Sequence, residues 1–189
     1  MQGKRKRFER LLDSLAQRDP HDLALPAWRS HQATDAPASS LVGGTIGVYD
    51  LLHVGHLRFL QTARSRCDRL KVGVATAATA WRSKAATPVI PDEERLELIR
   101  GLACVDEADL FDGTLADTTP AADWIASWGV QVMFVSDEWA GSPRWRDLEP
   151  ALAARGIRCV WLPYTQGVSS TIIKERIRDT PVAGGNSPG

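Results

Sequence analysis

The stretch GVYDLLHVGH at residues 47–56 decides the fold of this 189-residue chain. A short apolar run from Thr45 to Tyr49 leads into it, which is typical of a buried strand. The end of the stretch resembles the first turn of an amphipathic helix, in which His53 and His56 lie three residues apart. On a helix, that spacing places both imidazoles on one face. The pattern therefore predicts a strand, a tight turn and a helix start, around which the rest of the chain is arranged.

The same stretch has the features of a phosphate-binding site. Gly55 removes a side chain that would keep a bulky ligand away from the backbone. A helix N-terminus offers unpaired N–H groups and the positive end of the helix dipole, and both attract phosphate. The alternative is that His53 and His56 only cap and pack a helix, but that leaves the glycine and the preceding strand unexplained. We therefore predict a triphosphate site at this turn.

The composition restricts the class of protein. The chain has 23 basic and 23 acidic residues, so no net charge attracts nucleic acid or an anionic membrane. Cys67, Cys104 and Cys159 are far apart and have apolar neighbours, which is typical of buried thiols in a reducing compartment. No stretch approaches the ~20 apolar residues of a membrane span, and no apolar run follows the basic residues 4–7 as in a secretory signal. A cytoplasmic protein that binds neither nucleic acid nor membrane is expected.

Three segments are predicted along the chain. Residues 1–41 form an N-terminal extension, with a short amphipathic helix at residues 5–17 and a linker rich in Ala, Ser, Thr and Pro at residues 31–40. Residues 42–178 form the main domain. Residues 179–189 form a flexible tail.

Strands and helices alternate through the main domain. Apolar runs predict strands at residues 45–49, 70–75, 105–111, 130–135 and 158–162. Helical patterns predict helices at residues 54–66, 92–101, 121–128, 145–154 and 169–178, whereas residues 77–84 are interpreted as a loop. This alternation indicates a parallel sheet covered by helices on both faces, that is, a Rossmann-like α/β fold.

Polar clusters follow four of the predicted strands. They lie at residues 47–56, 77–84, 136–141 and 163–171. Ligands in sheets of this kind bind outside the carboxyl ends of the strands. We therefore expect the four clusters to meet in one site.

Three stretches resemble one known family. DLLHVGH at residues 50–56 resembles the HxGH motif of the nucleotidyltransferase superfamily. SDEWAG at residues 136–141 resembles the Gly-Asp-Asp-Trp-x-Gly stretch of glycerol-3-phosphate cytidylyltransferases. TQGVSST at residues 165–171 is similar to their Arg-Thr-Glu-Gly-Ile-Ser-Thr-Thr motif. The resemblance covers residues 42–177 and implies a cytidylyltransferase-like nucleotidyltransferase with a Rossmann-like sheet.

The resemblance implies a reaction as well as a fold. A phosphate oxygen of a small phosphorylated alcohol attacks the α-phosphorus of CTP and pyrophosphate leaves, a transfer that depends on alignment and charge neutralisation. His53 and His56 are implied to donate hydrogen bonds to phosphate oxygens, which strengthen as the transition state forms. Lys84 is implied to bind the phosphates from the opposite side. Mg²⁺ is expected to accompany the triphosphate, held mainly by phosphate and water, with no metal site built by the protein.

Further residues are implied to bind the two substrates. Together with the three catalytic residues, those implied to bind the nucleotide are Gly47, Val48, Tyr49, Gly55, Asp137, Tyr164, Thr165, Gly167, Ser169, Ser170 and Thr171. Those expected to bind the acceptor are Arg82, Glu138, Trp139 and Arg144. Plainer alternatives are a solvated loop at residues 82–84, an ordinary helix cap at residues 169–171 and a surface acidic pair at residues 137–138. Asp50 is expected to support its own turn through an Asx-type hydrogen bond.

The acceptor half departs from the family pattern. Tyr164 stands where the last motif has arginine, and Ala103 stands where many relatives have arginine. No Lys or Arg occurs between Arg100 and Arg144, a region in which the glycerol-phosphate enzymes have a basic helix. A buried acceptor dianion still needs positive partners, and glycerol 3-phosphate is therefore expected to be a poor acceptor. The arginines that could replace the helix are Arg82, Arg95, Arg144 and Arg146.

Three functions remain open from the sequence. The Asp-Glu-Trp stretch favours CTP, with a phosphorylated or phosphonylated alcohol as acceptor. Heptose-phosphate adenylyltransferases share the HxGH motif and a similar Gly-x-Ser-Thr-Thr ending, so ATP with a sugar phosphate is the alternative. A binding or regulatory module that has lost turnover is the third, although binding alone does not need His53, His56 and Lys84 together. Small-molecule substrates and a homodimer are expected for an enzyme of this kind.

Overall fold

The computed structural model describes residues 40–85, 87–113, 115 and 117–180, without the side chains of Ser83 and Lys84. The helix predicted at residues 5–17, the linker up to residue 39 and the tail from residue 181 lie outside the described residues. The three-segment division of the chain therefore stays a prediction. No helix among the described residues is long and apolar enough to cross a membrane.

Five strands and six α-helices alternate along the part of the chain that the structure describes. In chain order they are β1 Val42–Gly47, α1 Val54–Arg64, β2 Arg69–Ala75, α2 Ala77–Lys84, α3 Asp92–Arg100, β3 Glu107–Phe111, α4 Thr118–Ser127, β4 Val132–Ser136, a 3₁₀ turn Asp137–Trp139, α5 Pro143–Ala153, β5 Arg158–Leu162 and α6 Ser170–Asp179.

The five strands form one parallel sheet in the order β3-β2-β1-β4-β5. Strand β1 lies in the middle, pairing with β2 from Val42 opposite Arg69 onwards and with β4 from Gly43 opposite Val132. The chain runs outward from β1 to β3 and then crosses back to β4. The direction of the strand order thus reverses between β1 and β4, the place at which such sheets bind ligands. The predicted Rossmann-like α/β fold is confirmed.

The sheet is covered on both faces, which explains why its central strands are mainly apolar, with Lys71 of β2 as an exception. One core cluster contains Leu60 of α1 and Ile99 of α3, both fully buried. The second contains Ile125 of α4 and Leu148 and Leu152 of α5. Helices α1 and α3 contribute apolar residues to the first cluster, and helices α4 and α5 contribute to the second.

Two of the predicted element assignments are wrong. Residues 77–84, interpreted as a loop, form helix α2, which Thr76 caps by accepting a hydrogen bond from Thr79 N at 3.2 Å. The segment has little apolar periodicity, but its alanines favour a helix. Tyr49, placed in the first strand, lies beyond the end of β1 with φ at 54°. It belongs to the turn because the left-handed region is incompatible with a strand.

Candidate active site

A cavity of about 430 Å³ lies at the carboxyl ends of the strands. Its wall includes residues from each of the four polar clusters, among them His53, Thr79, Glu138 and Tyr164. The first turns of α1 and α6 also reach this wall. Two helix N-termini therefore contribute to one cavity, and each is a favourable place for an anion.

The turn after β1 depends on Gly47 and Tyr49. Tyr49 is buried, and a side chain at Gly47 would place its Cβ 2.8 Å from Cζ of the tyrosine ring. Burial raises the pKa of Tyr49, whose hydroxyl is hydrogen-bonded to Thr45. The ring also meets His56 edge-on, with 5.3 Å between the ring centroids. Tyr49 thus supports His56 from the inside of the turn.

The two histidines lie against one another on the cavity wall. The centroids of the His53 and His56 rings are 3.8 Å apart and their planes differ by 17°. Gly55 permits this arrangement, because a Cβ there would lie 3.0 Å from two atoms of the His53 ring. Burial lowers the pKa of His53, which favours the neutral imidazole. Its Nδ1 is buried and has no hydrogen-bond partner among the described residues.

Asp50 connects the turn to two distant segments. Its Oδ1 accepts hydrogen bonds from the backbone N–H groups of Val89 and Ile90, at 2.9 and 3.0 Å. Its Oδ2 lies 2.9 Å from Nζ of Lys174 on α6. Burial would raise the pKa of Asp50, but the Lys174 ammonium and the two N–H groups outweigh burial and lower it. The predicted Asx-type bond within the turn is therefore wrong, because the carboxylate joins the turn to the 87–91 loop and to α6.

Two of the three hydroxyls at the start of α6 form hydrogen bonds within the protein. Ser169 caps the helix by accepting a hydrogen bond from Ile172 N at 3.1 Å, as the plainer alternative predicted. Ser170 donates to the carbonyl oxygen of Asp50 at 2.6 Å and so ties α6 to the β1 turn. Ser169, Ser170 and Thr171 all lie on the cavity wall.

Four of the residues predicted to bind the nucleotide lie between β4 and the cap of α6, and only two of them line the cavity. Tyr164 and Thr165 line the cavity, and the Tyr164 hydroxyl donates to the carbonyl of Val168 at 2.9 Å. Asp137 and Gly167 are not part of the described wall. The Asp137 carboxylate instead accepts a hydrogen bond from the backbone N–H of Tyr164 at 3.0 Å, which holds the loop after β5.

Of the exposed or partly exposed arginines that could bind the acceptor, one lies on the cavity wall and two lie off it. Arg144 lies on the wall, with its guanidinium 5.5 Å from the centre of the Trp139 ring. Burial lowers its pKa. Arg82 is not part of the described wall; it is half exposed and lies 3.3 Å from an Asp112 carboxylate oxygen. Arg146, on the same helix as Arg144, is exposed and also lies off the described wall.

Arg95 is fully buried and is not part of the described cavity wall. It donates hydrogen bonds to the carbonyl oxygens of Val48, Ala75 and Ile90 and forms an ion pair with Asp92. A guanidinium satisfied by three carbonyls and a carboxylate is a structural clamp on the ends of β1 and β2. Its suggested role as an acceptor ligand is therefore wrong.

Sequence reasoning missed Lys174 as part of the wall, and it placed Ser136 in a polar cluster of the site without giving it a role. Lys174 lies one helical turn after Ser170, so the two share a face, and Ser170 is already in contact with Asp50. This spacing was the signal that could have identified it.

The side chain of Lys84, predicted to be catalytic, lies outside the described residues. No group of three or more His, Cys, Asp or Glu side chains that could hold a metal ion occurs among the described residues.

The fold and the site together define a nucleotidyltransferase-type α/β domain. The chain belongs to the cytidylyltransferase-like family, whose model matches residues 45–176. The resemblance to cytidylyltransferase-like nucleotidyltransferases predicted from the motifs is thereby confirmed.

Individual relatives are similar to parts of the chain. The bifunctional protein HldE of Streptomyces coelicolor is 37% identical over 133 residues, which are 69% of this chain and 27% of that protein. The FAD synthase of Thermococcus onnurineus is 52% identical over 61 residues, which are 32% of this chain and 41% of that protein. The chain thus spans between about a quarter and two fifths of the length of these relatives.

A solved structure shows the same fold. It is a lipopolysaccharide core biosynthesis protein from Thermoplasma volcanium, which matches with a TM-score of 0.54 and 23% identity. The match covers 67% of this chain and 97% of that one.

Proposed function

We propose that the protein transfers a nucleoside monophosphate from a nucleoside triphosphate to the phosphate or phosphonate of a small alcohol. An oxygen of the acceptor forms a bond to the α-phosphorus, the bond from that phosphorus to the bridging oxygen breaks, and pyrophosphate leaves. The observation that carries the proposal is the stacked pair of His53 and His56 at the start of α1, in one cavity with the start of α6. Family membership supports a transferase of this class.

The described residues suit a reaction that depends on charge neutralisation. The first turns of α1 and α6 contain no acidic residue, so nothing opposes the positive ends of their dipoles. The imidazoles of His53 and His56 can each donate a hydrogen bond to a phosphate oxygen. Donors held in place in this way stabilise charge that develops in the transition state. Lys84 at the end of α2 is proposed to complete the phosphate contacts, as the resemblance implies.

Magnesium is proposed only as a companion of the triphosphate. Of the two carboxylates on the cavity wall, Asp50 is already bound to Lys174 and to two N–H groups, and Glu138 stands without a second acid beside it on that wall. This donor set does not fit a resident Mg²⁺, which prefers a complete oxygen shell. We therefore assign no protein ligand to the ion.

The base of the nucleotide has two candidates. The match to a cytidylyltransferase-like model and the Asp-Glu-Trp stretch at residues 137–139 support CTP. The likeness to an FAD synthase supports ATP, because FAD contains an adenine nucleotide. Each base is supported by a separate observation, and the comparison of CTP with ATP in the assay below decides between them.

Arg144 is proposed to bind the charged group of the acceptor, with Trp139 and Glu138 beside it on the wall. No carboxylate among the described residues forms an ion pair with Arg144, whereas Lys174, the other described cation on the wall, is paired with Asp50. An arginine without an acidic partner is suited to a phosphate or phosphonate. Arg82 is not proposed as an acceptor ligand, because it lies off the described wall and beside the carboxylate of Asp112.

Pyrophosphate release tests the proposal directly. The full chain would be incubated with Mg²⁺, CTP or ATP, and a panel of phosphorylated and phosphonylated alcohols and sugar phosphates. Turnover with at least one pair of substrates is expected, with glycerol 3-phosphate among the poorer acceptors. Nucleotide binding without pyrophosphate release for any pair would contradict the proposal and favour a binding module. The ratio of kcat/KM for CTP and ATP decides the base.

A further inference from the structure

We infer that Ser136 is a specificity-determining residue whose hydroxyl binds the nucleoside part of the triphosphate. The inference rests on the proposed function, because it assumes that a nucleoside triphosphate occupies the cavity. Ser136 is the last residue of β4 and lies on the cavity wall.

The hydroxyl of Ser136 is in an unusual state for a buried polar group. Its Oγ is buried and has no hydrogen-bond partner among the described residues. Other polar side chains in this region have partners: Asp137 accepts a hydrogen bond from Tyr164 N, and Ser169 accepts one from Ile172 N. A buried polar group without a partner destabilises the folded state, so the few that occur call for an explanation. A ligand that supplies the missing partner is such an explanation.

The position of Ser136 indicates which part of the ligand it contacts. Strand β4 lies beside β1 at the point where the strand order reverses. The phosphate-binding features, His53 and His56, follow β1, whereas Pro163 and Tyr164 follow β5 on the other side of β4. With the phosphates at the β1 turn, the nucleoside extends over the crevice next to β4, as ligands do in sheets of this kind.

The chemistry of a hydroxyl agrees with this placement. A serine hydroxyl both donates and accepts, and it carries no charge. It therefore matches a ribose hydroxyl or the edge of a base better than a phosphate, which needs cations and oriented N–H groups. Because the Ser136 residue lines the cavity while its Oγ is buried, the contact requires a change to another staggered rotamer about the Cα–Cβ bond. Ser136 also stands where the cytidylyltransferase stretch that it resembles has glycine, so this hydroxyl distinguishes the chain from that pattern.

The test compares Ser136→Ala with Ser142→Ala. Ser142 is a matched control because its Oγ is also buried without a partner, but it lies at the start of α5 and is not on the described cavity wall. The affinities of the full chain for CTP, ATP and inorganic tripolyphosphate would be measured by calorimetry, together with Tm. Both substitutions remove an unsatisfied hydroxyl, so Tm is expected to stay equal or rise in both variants.

The expected result is selective for the nucleoside. Ser136→Ala should weaken binding of the better nucleotide about tenfold, the effect of one lost neutral hydrogen bond, and leave tripolyphosphate unchanged. Ser142→Ala should change neither affinity. Comparing the 2′-deoxynucleotide and the nucleotide of the other base in wild type and Ser136→Ala assigns the contact to the ribose or to the base.

Other outcomes overturn the inference. Unchanged nucleotide affinity in Ser136→Ala, an equal loss for tripolyphosphate, or a lowered Tm would each show that the hydroxyl does not bind the nucleoside. These results differ from a failure of the proposed function, in which the wild-type chain itself would bind neither CTP nor ATP, or would bind a nucleotide without releasing pyrophosphate.

Discussion

The two halves of the cavity differ in whether their cation is paired with a carboxylate of the protein. The turn half, formed by residues 48–56 and the first turn of α6 with Lys174, is tied together by contacts within the protein, including Asp50 with Lys174 and Ser170 with the Asp50 carbonyl. The β4 half, formed by residues 136–145, contains the unpartnered Oγ of Ser136, and no carboxylate among the described residues forms an ion pair with Arg144. Each half also keeps a buried atom without a hydrogen-bond partner among the described residues, Nδ1 of His53 in the turn half and Oγ of Ser136 in the β4 half. The cation of the turn half, Lys174, is already paired, whereas Arg144 is available to a charged ligand. We therefore place the common chemistry in the turn half and the choice of substrate in the β4 half.

The largest effect is expected from the histidines of the turn half. Replacing His53 or His56 by alanine removes one prearranged donor to the phosphates and should lower kcat by roughly a hundredfold or more. Folding should survive, because neither ring fills the apolar core. Pyrophosphate release at saturating substrates measures kcat, and Tm serves as the control. A variant with nearly normal kcat would show that the imidazoles are structural.

The next largest effect is expected from Arg144 in the β4 half. Arg144→Ala should raise the KM for the acceptor roughly tenfold or more, the scale of a lost charge-assisted hydrogen bond. The KM for the nucleotide should stay nearly constant, because a residue that touches one substrate affects that substrate only.

Arg146→Ala is the matched control for this test, since Arg146 is on the same helix but exposed and off the described wall. It should change neither constant. If instead Arg144→Ala raises only the KM for the nucleotide, the guanidinium belongs to the triphosphate and the assignment of the β4 half to the acceptor is wrong.

A smaller effect is expected from the ion pair of the turn half. Lys174→Met leaves the buried Asp50 carboxylate without its cation and should reduce the free energy of unfolding by about 1–2 kcal/mol. This is below the usual cost of breaking a buried pair, because the Lys174 side chain is 36% exposed and water screens the charge. Urea unfolding at pH 7 measures the change.

Lys174→Arg should retain most of that stability, because it keeps the charge. In an Asp50→Asn background, the further change Lys174→Met should have little effect, since the pair no longer exists. An equal loss in both backgrounds would mean that the ion pair does not link α6 to the turn.

The sequence predicted the elements that depend on local pattern. The strand, turn and helix at residues 45–64 were found because apolar runs and the histidine spacing are visible within a few residues. The partners of Asp50 were not found, because they depend on how distant segments pack: the Ser170 hydroxyl that contacts its carbonyl is 120 residues away along the chain. Arg95 was misassigned for the same reason, since its burial is set by carbonyls from two strands and a loop. Polar residues are easily recognised in a sequence, but whether each one serves the fold or the ligand is decided by tertiary contacts.

The smallest effect is expected from the pH dependence of stability. Burial lowers the pKa of His53 in the folded protein below its ordinary value of about 6.5. As pH falls below about 6.5, the unfolded chain therefore binds a proton that the folded chain does not, and stability declines until the folded pKa is reached. His53→Gln cannot titrate, so its free energy of unfolding should decline less than that of the wild type over the same window. Parallel urea titrations of the two proteins between pH 7.5 and 5 compare the slopes, a range chosen to bracket the ordinary histidine pKa. Identical slopes would show that the His53 imidazole is freely protonated in the folded state and that the turn half does not hold it neutral.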